Sequence, residues 1–121
     1  MTRRDAAARA RFLIAMIFLA SGGAKLFPLA FEVAAFARWG YPSWFMTLTG
    51  VLEVAGAIGV LIPRLSALAS LALAALMVGA LGTHLINAEW PMAVAATAIL
   101  SLCAWSGWTR RAELRALLPG S

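Results

Sequence analysis

The sequence is short of charge: Asp, Glu, Lys and Arg together make up only 12% of its 121 residues. A soluble domain carries about a quarter charged residues and about 45–50% apolar ones. This chain is 63% apolar, with a mean hydropathy of +0.87. In water a chain of this size would leave much of that apolar surface exposed, so a soluble domain is excluded and lipid is implied. Cysteine is nearly absent. Cys103 stands alone, so no intramolecular disulfide and no CxxC redox pair can form, and it reads as a buried structural residue. One cysteine beside one histidine offers no metal-ligand set. Phosphate-loop, dinucleotide-fingerprint and nucleophile motifs are also missing, and no resident cofactor is expected. The net charge is +5, but the arginines sit at the ends of apolar runs. That is the placement of membrane anchors rather than of a phosphate-reading surface, so membrane lipid is the expected partner and nucleic acid is not.

What is present is a set of apolar runs long enough to cross a bilayer, which takes about 20 residues rising about 1.5 Å each. They predict an all-α, antiparallel bundle of four transmembrane helices in a single domain, over residues 12–27, 43–62, 65–84 and 91–108. Pro28 and Pro63 stop the first two, and Pro91 opens the fourth, where a missing N–H costs little. Residues 29–42, with Glu32, Arg38, Trp39 and Tyr41, read as an interfacial segment ending in a Gly-Tyr-Pro turn. Pro63-Arg64 is a tight hairpin, and residues 87–90 close the third connection. Such short connections make consecutive helices antiparallel neighbours. The tail after Trp108 sets Leu114, Leu117 and Leu118 on one face, predicting a cytoplasmic surface helix over about 109–118.

Four spans place Arg3, Arg4, Arg9, Arg11, Arg64, Arg110, Arg111 and Arg115 on one side, and only Lys25 and Arg38 on the other. The positive-inside rule then puts both termini in the cytoplasm of a bacterial-type inner membrane. The tryptophans read as interface anchors: Trp39, Trp44 and Trp90 outside, Trp105 and Trp108 inside. The arginine-rich start followed by FLIAMIFLAS also resembles a signal peptide. The apolar run, however, continues past Ser21 for a full helix length without a clean A-x-A site, and it is read as a retained span.

Charged groups inside spans are costly and usually face protein or water. Here they are Lys25 near the outer end of the first span, Glu53 at the centre of the second and His84 at the outer end of the third. Side chains lean toward their own helix N-terminus, so Lys25 and His84 lean inward and Glu53 outward. The three are expected to meet in one polar layer and are the candidate catalytic residues. Ser21, Thr49, Thr83, Trp39 and Tyr41 are the candidate ligand-binding residues around them. Thr49, Gly50, Gly56 and Ala57 share the Glu53 face, and Ala75, Gly79 and Thr83 form a similar small-residue strip. Such strips permit close helix approach and motivate an expectation of self-association.

Four segments resemble the DoxX-like family of small four-helix membrane proteins: GGAKLF (22–27), WGYPSWF (39–45), LEVAGAIGVLIPR (52–64) and the histidine that closes MVGALGTH (77–84). The resemblance implies the four-helix bundle and kinship with membrane oxidoreductase complexes, including a subunit of a terminal quinol oxidase. With no haem-ligating pair and no cysteine pair, the chain alone should not carry electrons. The expected function is an accessory or ligand-binding membrane subunit for a lipophilic or quinone-like molecule. Two alternatives stay open: a small membrane enzyme using Glu53 as acid or base on an apolar substrate, of isomerase or epoxide-opening type, and a small proton-coupled exporter.

Overall fold

The computed structural model describes residues 2–119. Every regular element among them is a helix: α1 (Arg3–Leu26), α2 (Ala30–Trp39), α3 (Ser43–Leu61), α4 (Ser66–Ile86), α5 (Trp90–Thr109) and α6 (Ala112–Ala116). Four of these, α1, α3, α4 and α5, are long and apolar enough to span a membrane. They run alternately up and down, α1 against α3, α3 against α4, α4 against α5, with α5 closing back on α1.

The first span begins well before residue 12. A capping box starts it, in which Thr2 Oγ1 accepts from the Asp5 N–H at 3.1 Å and Asp5 Oδ2 accepts from the Thr2 N–H at 3.1 Å. Those bonds satisfy two of the amides that every helix start leaves without partners. The interfacial segment also differs from expectation, because most of it is the helix α2. Its end is marked by Gly40 at φ +83°, the left-handed conformation that closes many helices and that only glycine adopts without strain. The surface helix is shorter than expected. Its Glu113 turns back to the bundle, where Oε1 accepts from the Ala67 N–H at 3.1 Å, placing a carboxylate on the positive end of α4.

Small residues bring the helices together. A Cβ on Gly22 would lie 2.8 Å from the Gly50 carbonyl oxygen, and one on Gly50 would lie 2.9 Å from Cβ of Lys25. The α1–α3 crossing is therefore as close as it is because both positions are glycine. Gly56 likewise receives Leu73 of α4. The strip of Ala75, Gly79 and Thr83 behaves differently. It lines a cavity, and a Cβ on Gly79 would meet nothing within 4 Å. The first strip is thus used inside the bundle, whereas Ala75 and Gly79 of the second are exposed.

Two turns of one design shape the end of the bundle that carries α2. In the first, the Tyr41 N–H donates to the Phe36 carbonyl at 2.9 Å and the Gly40 N–H to the Ala37 carbonyl at 3.1 Å. In the second, the Glu89 N–H donates to the His84 carbonyl at 2.9 Å and the Ala88 N–H to the Leu85 carbonyl at 3.2 Å. This paired pattern is the Schellman cap, which reverses the chain through one left-handed residue. At that residue the first turn has glycine, whereas the second has Ala88 at φ +54°.

Candidate functional site

The half of the bundle next to α2 holds an open-sided cavity of about 620 Å³, with Phe31 and Met92 of its wall exposed. Alanines, one glycine and larger apolar side chains make up most of its wall, among them Ala20, Ala24, Phe31, Phe45, Leu76, Met92 and Ile99. All eight residues singled out in the sequence line it: Lys25, Glu53, His84, Ser21, Thr49, Thr83, Trp39 and Tyr41. They form two polar groups rather than one layer.

The first group is centred on Lys25. Its Nζ lies 2.7 Å from Glu32 Oε2, 2.8 Å from Glu53 Oε1 and 2.8 Å from Ser21 Oγ. An ammonium has three N–H donors, and three oxygens surround this one. The close α1–α3 crossing at Gly22 and Gly50 is what brings Lys25 to Glu53, whose side chain is only 2% exposed. Glu53 Oε1 is otherwise buried, with the Lys25 ammonium as its ion-pair partner. Thr49 lines the cavity one turn away and donates to the Phe45 carbonyl at 2.8 Å.

The second group is centred on Glu89. Its Oε1 faces His84 Nδ1 at 2.9 Å and accepts from Trp39 Nε1 at 3.0 Å, while Oε2 accepts from Arg38 Nη2 at 2.7 Å. The His84 contact, then the Arg38 guanidinium, pull the Glu89 carboxyl down from 4.5 to about 2. It is therefore a carboxylate at neutral pH. The second Schellman turn makes the group possible, because it folds Glu89 back onto the last turn of α4. Beside it, the Tyr41 and Thr83 hydroxyls share a hydrogen bond of 2.7 Å, with Thr83 donating on to the Gly79 carbonyl at 3.0 Å. Trp39 packs edge-on to the His84 ring with centroids 5.5 Å apart. It lines the cavity, whereas Trp44 and Trp90 are exposed.

Glu32 and Glu89 escaped sequence reasoning because both lie in connections, outside the spans where a charge draws attention. A signal existed for Glu32: Pro28 before an alanine-rich stretch and Gly40 after it bracket a short helix that starts with an acid. For Glu89 there was none, since alanine at position 88 hides a turn that glycine would have announced. Phe36 was missed as well. It is buried against Trp39, Tyr41 and Phe45 and seats α2 over the cavity. Among the described residues, no group of three or more His, Cys, Asp or Glu side chains is placed to hold a metal ion.

A family model described as the DoxX-like family matches residues 10–107, which covers most of each of the four spans and both polar groups. The chain belongs to the DoxX-like family. This DoxX-like protein is also 33% identical over 93 residues to the uncharacterized protein YdgD of Bacillus subtilis (strain 168), a match covering 74% of this chain and 82% of that relative. No solved structure matches it. The family and the four apolar helices make it an integral membrane protein in contact with lipid.

Proposed function

We propose that the chain is a ligand-binding or accessory membrane subunit whose cavity holds a lipophilic, quinone-like small molecule, with its polar end at the Lys25 or Glu89 group. The observation that carries this reading is the cavity itself. About 620 Å³ is the size of a small-molecule site, and an apolar wall with a few fixed polar groups is the usual make-up of one. The test is to purify the protein and its Gly79→Trp variant from native membranes and identify co-purifying small molecules by mass spectrometry. The indole would occupy the cavity, so at least one molecule should be retained by the natural protein and lost from the variant. Identical profiles would overturn the reading.

One observation favours a second reading, a small membrane enzyme with Glu53 as acid or base. Its carboxyl lines the cavity beside the Lys25 ammonium, and a general acid or base must lie on the wall of the site its substrate enters. Turnover of an apolar substrate that survives Glu53→Gln would exclude it. We further propose that the end bearing α2 faces away from the cytoplasm, on the strength of eight arginines at the opposite end. An impermeant thiol reagent applied outside should then label a cysteine at Asn87 and spare one at Arg64. Labelling at Arg64 instead would invert the orientation.

A further inference from the structure

We infer that the terminal end of the bundle carries a site for the headgroup of an anionic phospholipid, in a cleft between the start of α1 and the end of α5. This site lies at the opposite end of the bundle from the cavity and does not depend on what the cavity holds. Two observations carry it, one of charge and one of hydrogen-bonding capacity.

The cleft has a volume of about 300 Å³ and is lined by Arg3, Trp105, Trp108, Thr109 and Arg111. Two guanidiniums line it and no carboxylate does. Arginine keeps its charge in every protein environment, so this local excess of positive charge is fixed. The two acids at this end of the bundle are engaged elsewhere. Asp5 is held by Thr2 in the capping box. Glu113 pairs with Arg110 at 3.0 Å and accepts from the Ala67 N–H at 3.1 Å. Two like charges gathered in one cleft are complementary to an anion, and a phosphate group matches the forked guanidinium geometry.

The unused hydrogen-bonding capacity points the same way. A guanidinium carries five N–H donors. Arg111 spends one of them, from Nη1 to the Trp108 carbonyl at 2.9 Å. Among the described residues, the Arg3 side chain forms neither an ion pair nor a hydrogen bond, and the indole N–H groups of Trp105 and Trp108 have no acceptor. The wall is therefore rich in donors, which suits the unesterified oxygens of a phosphate diester. The tryptophans identify its source. Their side chains are 41% and 65% exposed, and indoles gather at the headgroup level of a bilayer, so a phosphate seated beside them belongs to a lipid. Arg111 Cζ lies 4.4 Å from the centre of the Trp108 ring. A cation thus already occupies the ring on which a choline ammonium would have to stack, and the cleft favours a phospholipid of net negative charge over a zwitterionic one.

The test uses the full-length protein in detergent, titrated with dioleoyl phosphatidylglycerol or dioleoyl phosphatidylcholine, each bound lipid being resolved by native mass spectrometry. The first phosphatidylglycerol should bind about tenfold or more tightly than phosphatidylcholine, since each basic side chain near a membrane surface contributes about fivefold. Arg3→Gln and Arg111→Gln should each weaken that first binding about fivefold and leave phosphatidylcholine within about twofold. Both side chains are exposed, so neither change threatens the fold. Arg64→Gln removes the same charge from the same end but outside the cleft, and should stay within about twofold of the natural protein. A loss equal to that of Arg3→Gln would mean that the positive surface acts as a whole, and would overturn the site. Equal binding of the two lipids would overturn it as well. An equal concentration of inorganic phosphate should not displace the bound lipid; displacement would overturn the lipid as the occupant.

Discussion

Toward the chain termini the four spans meet around Ile14, Phe18, Val60, Leu73 and Cys103, each at most 1% exposed. Toward α2 the same four helices line an open-sided cavity of about 620 Å³. Helix spacing alone does not account for the difference, because the glycine-lined α1–α3 crossing lies in the hollow half. The side chains at facing positions do. Phe18, Ile14 and Leu73 fill one half, whereas Ala20, Ala24, Thr49, Ala75, Gly79 and Ala80 line the other and are too small to meet across it. Charge divides along the same boundary. The terminal half carries eight cations and two acids, and the half around the cavity two cations and three acids. Compactness and a positive surface are kept at one end, and internal space with buried ions at the other.

The largest effect should come from breaking the charge arrangement that only the hollow half contains. Lys25→Met strands two carboxylates and should cost about 3–5 kcal/mol in detergent unfolding experiments. Glu53→Gln should cost distinctly less, because Glu32 still neutralises Lys25 at 2.7 Å. Equal costs would mean that Glu32 takes no part. Packing should sort the two halves nearly as sharply. Phe18→Ala removes a side chain 1% exposed and should cost about 3–5 kcal/mol. Gly79→Ala, whose new methyl meets nothing within 4 Å, should be neutral or stabilise by up to about 1 kcal/mol. If the two changes destabilised equally, the distinction between filled and hollow halves would fail.

Two smaller effects concern the turn that closes the hollow half. Ala88→Gly relieves a left-handed alanine and should raise stability by about 0.5–1 kcal/mol, the steric relief exceeding the added freedom of glycine in the unfolded chain. Destabilisation would mean that the turn needs its methyl group. The smallest effect is one of pH. Glu89 has its carboxyl lowered to about 2 when folded, so its contribution is fully present above about 4.5 and is lost as pH falls through about 2. The melting-temperature gap between the natural protein and Glu89→Gln should therefore be constant near neutrality and close progressively between those values. A gap that persists unchanged at pH 2 would contradict the pairing of Glu89 with His84 and Arg38.

The filled half was largely legible in the sequence and the hollow half only in outline. Apolar runs stopped by Pro28 and Pro63 fix the spans, since lipid leaves a backbone few alternatives to helix. The opposed lean of Lys25 and Glu53 anticipates their contact for the same local reason. A connection escapes that logic, because its conformation depends on what it packs against. The segment holding Glu32 carries interfacial composition, and only Phe36 seated among Trp39, Tyr41 and Phe45 shows why it is a helix over the cavity. Glu89 follows from a turn whose usual glycine is absent. Small residues are ambiguous by nature: Gly50 and Gly79 both permit close approach, and nothing in the sequence says that a helix takes up the first while space remains beside the second.

Cys103, wholly enclosed where the filled half begins, gives the protein a clock of its own. A thiol reagent can reach that sulfur only during excursions that separate the helices around it. Its labelling rate in intact membranes thus counts openings of the bundle, and the fraction of time spent open measures their free energy. Molecules that fill the cavity should slow the clock only if the two halves open together. If they open separately, the thiol will keep time unchanged while the space beside it is occupied.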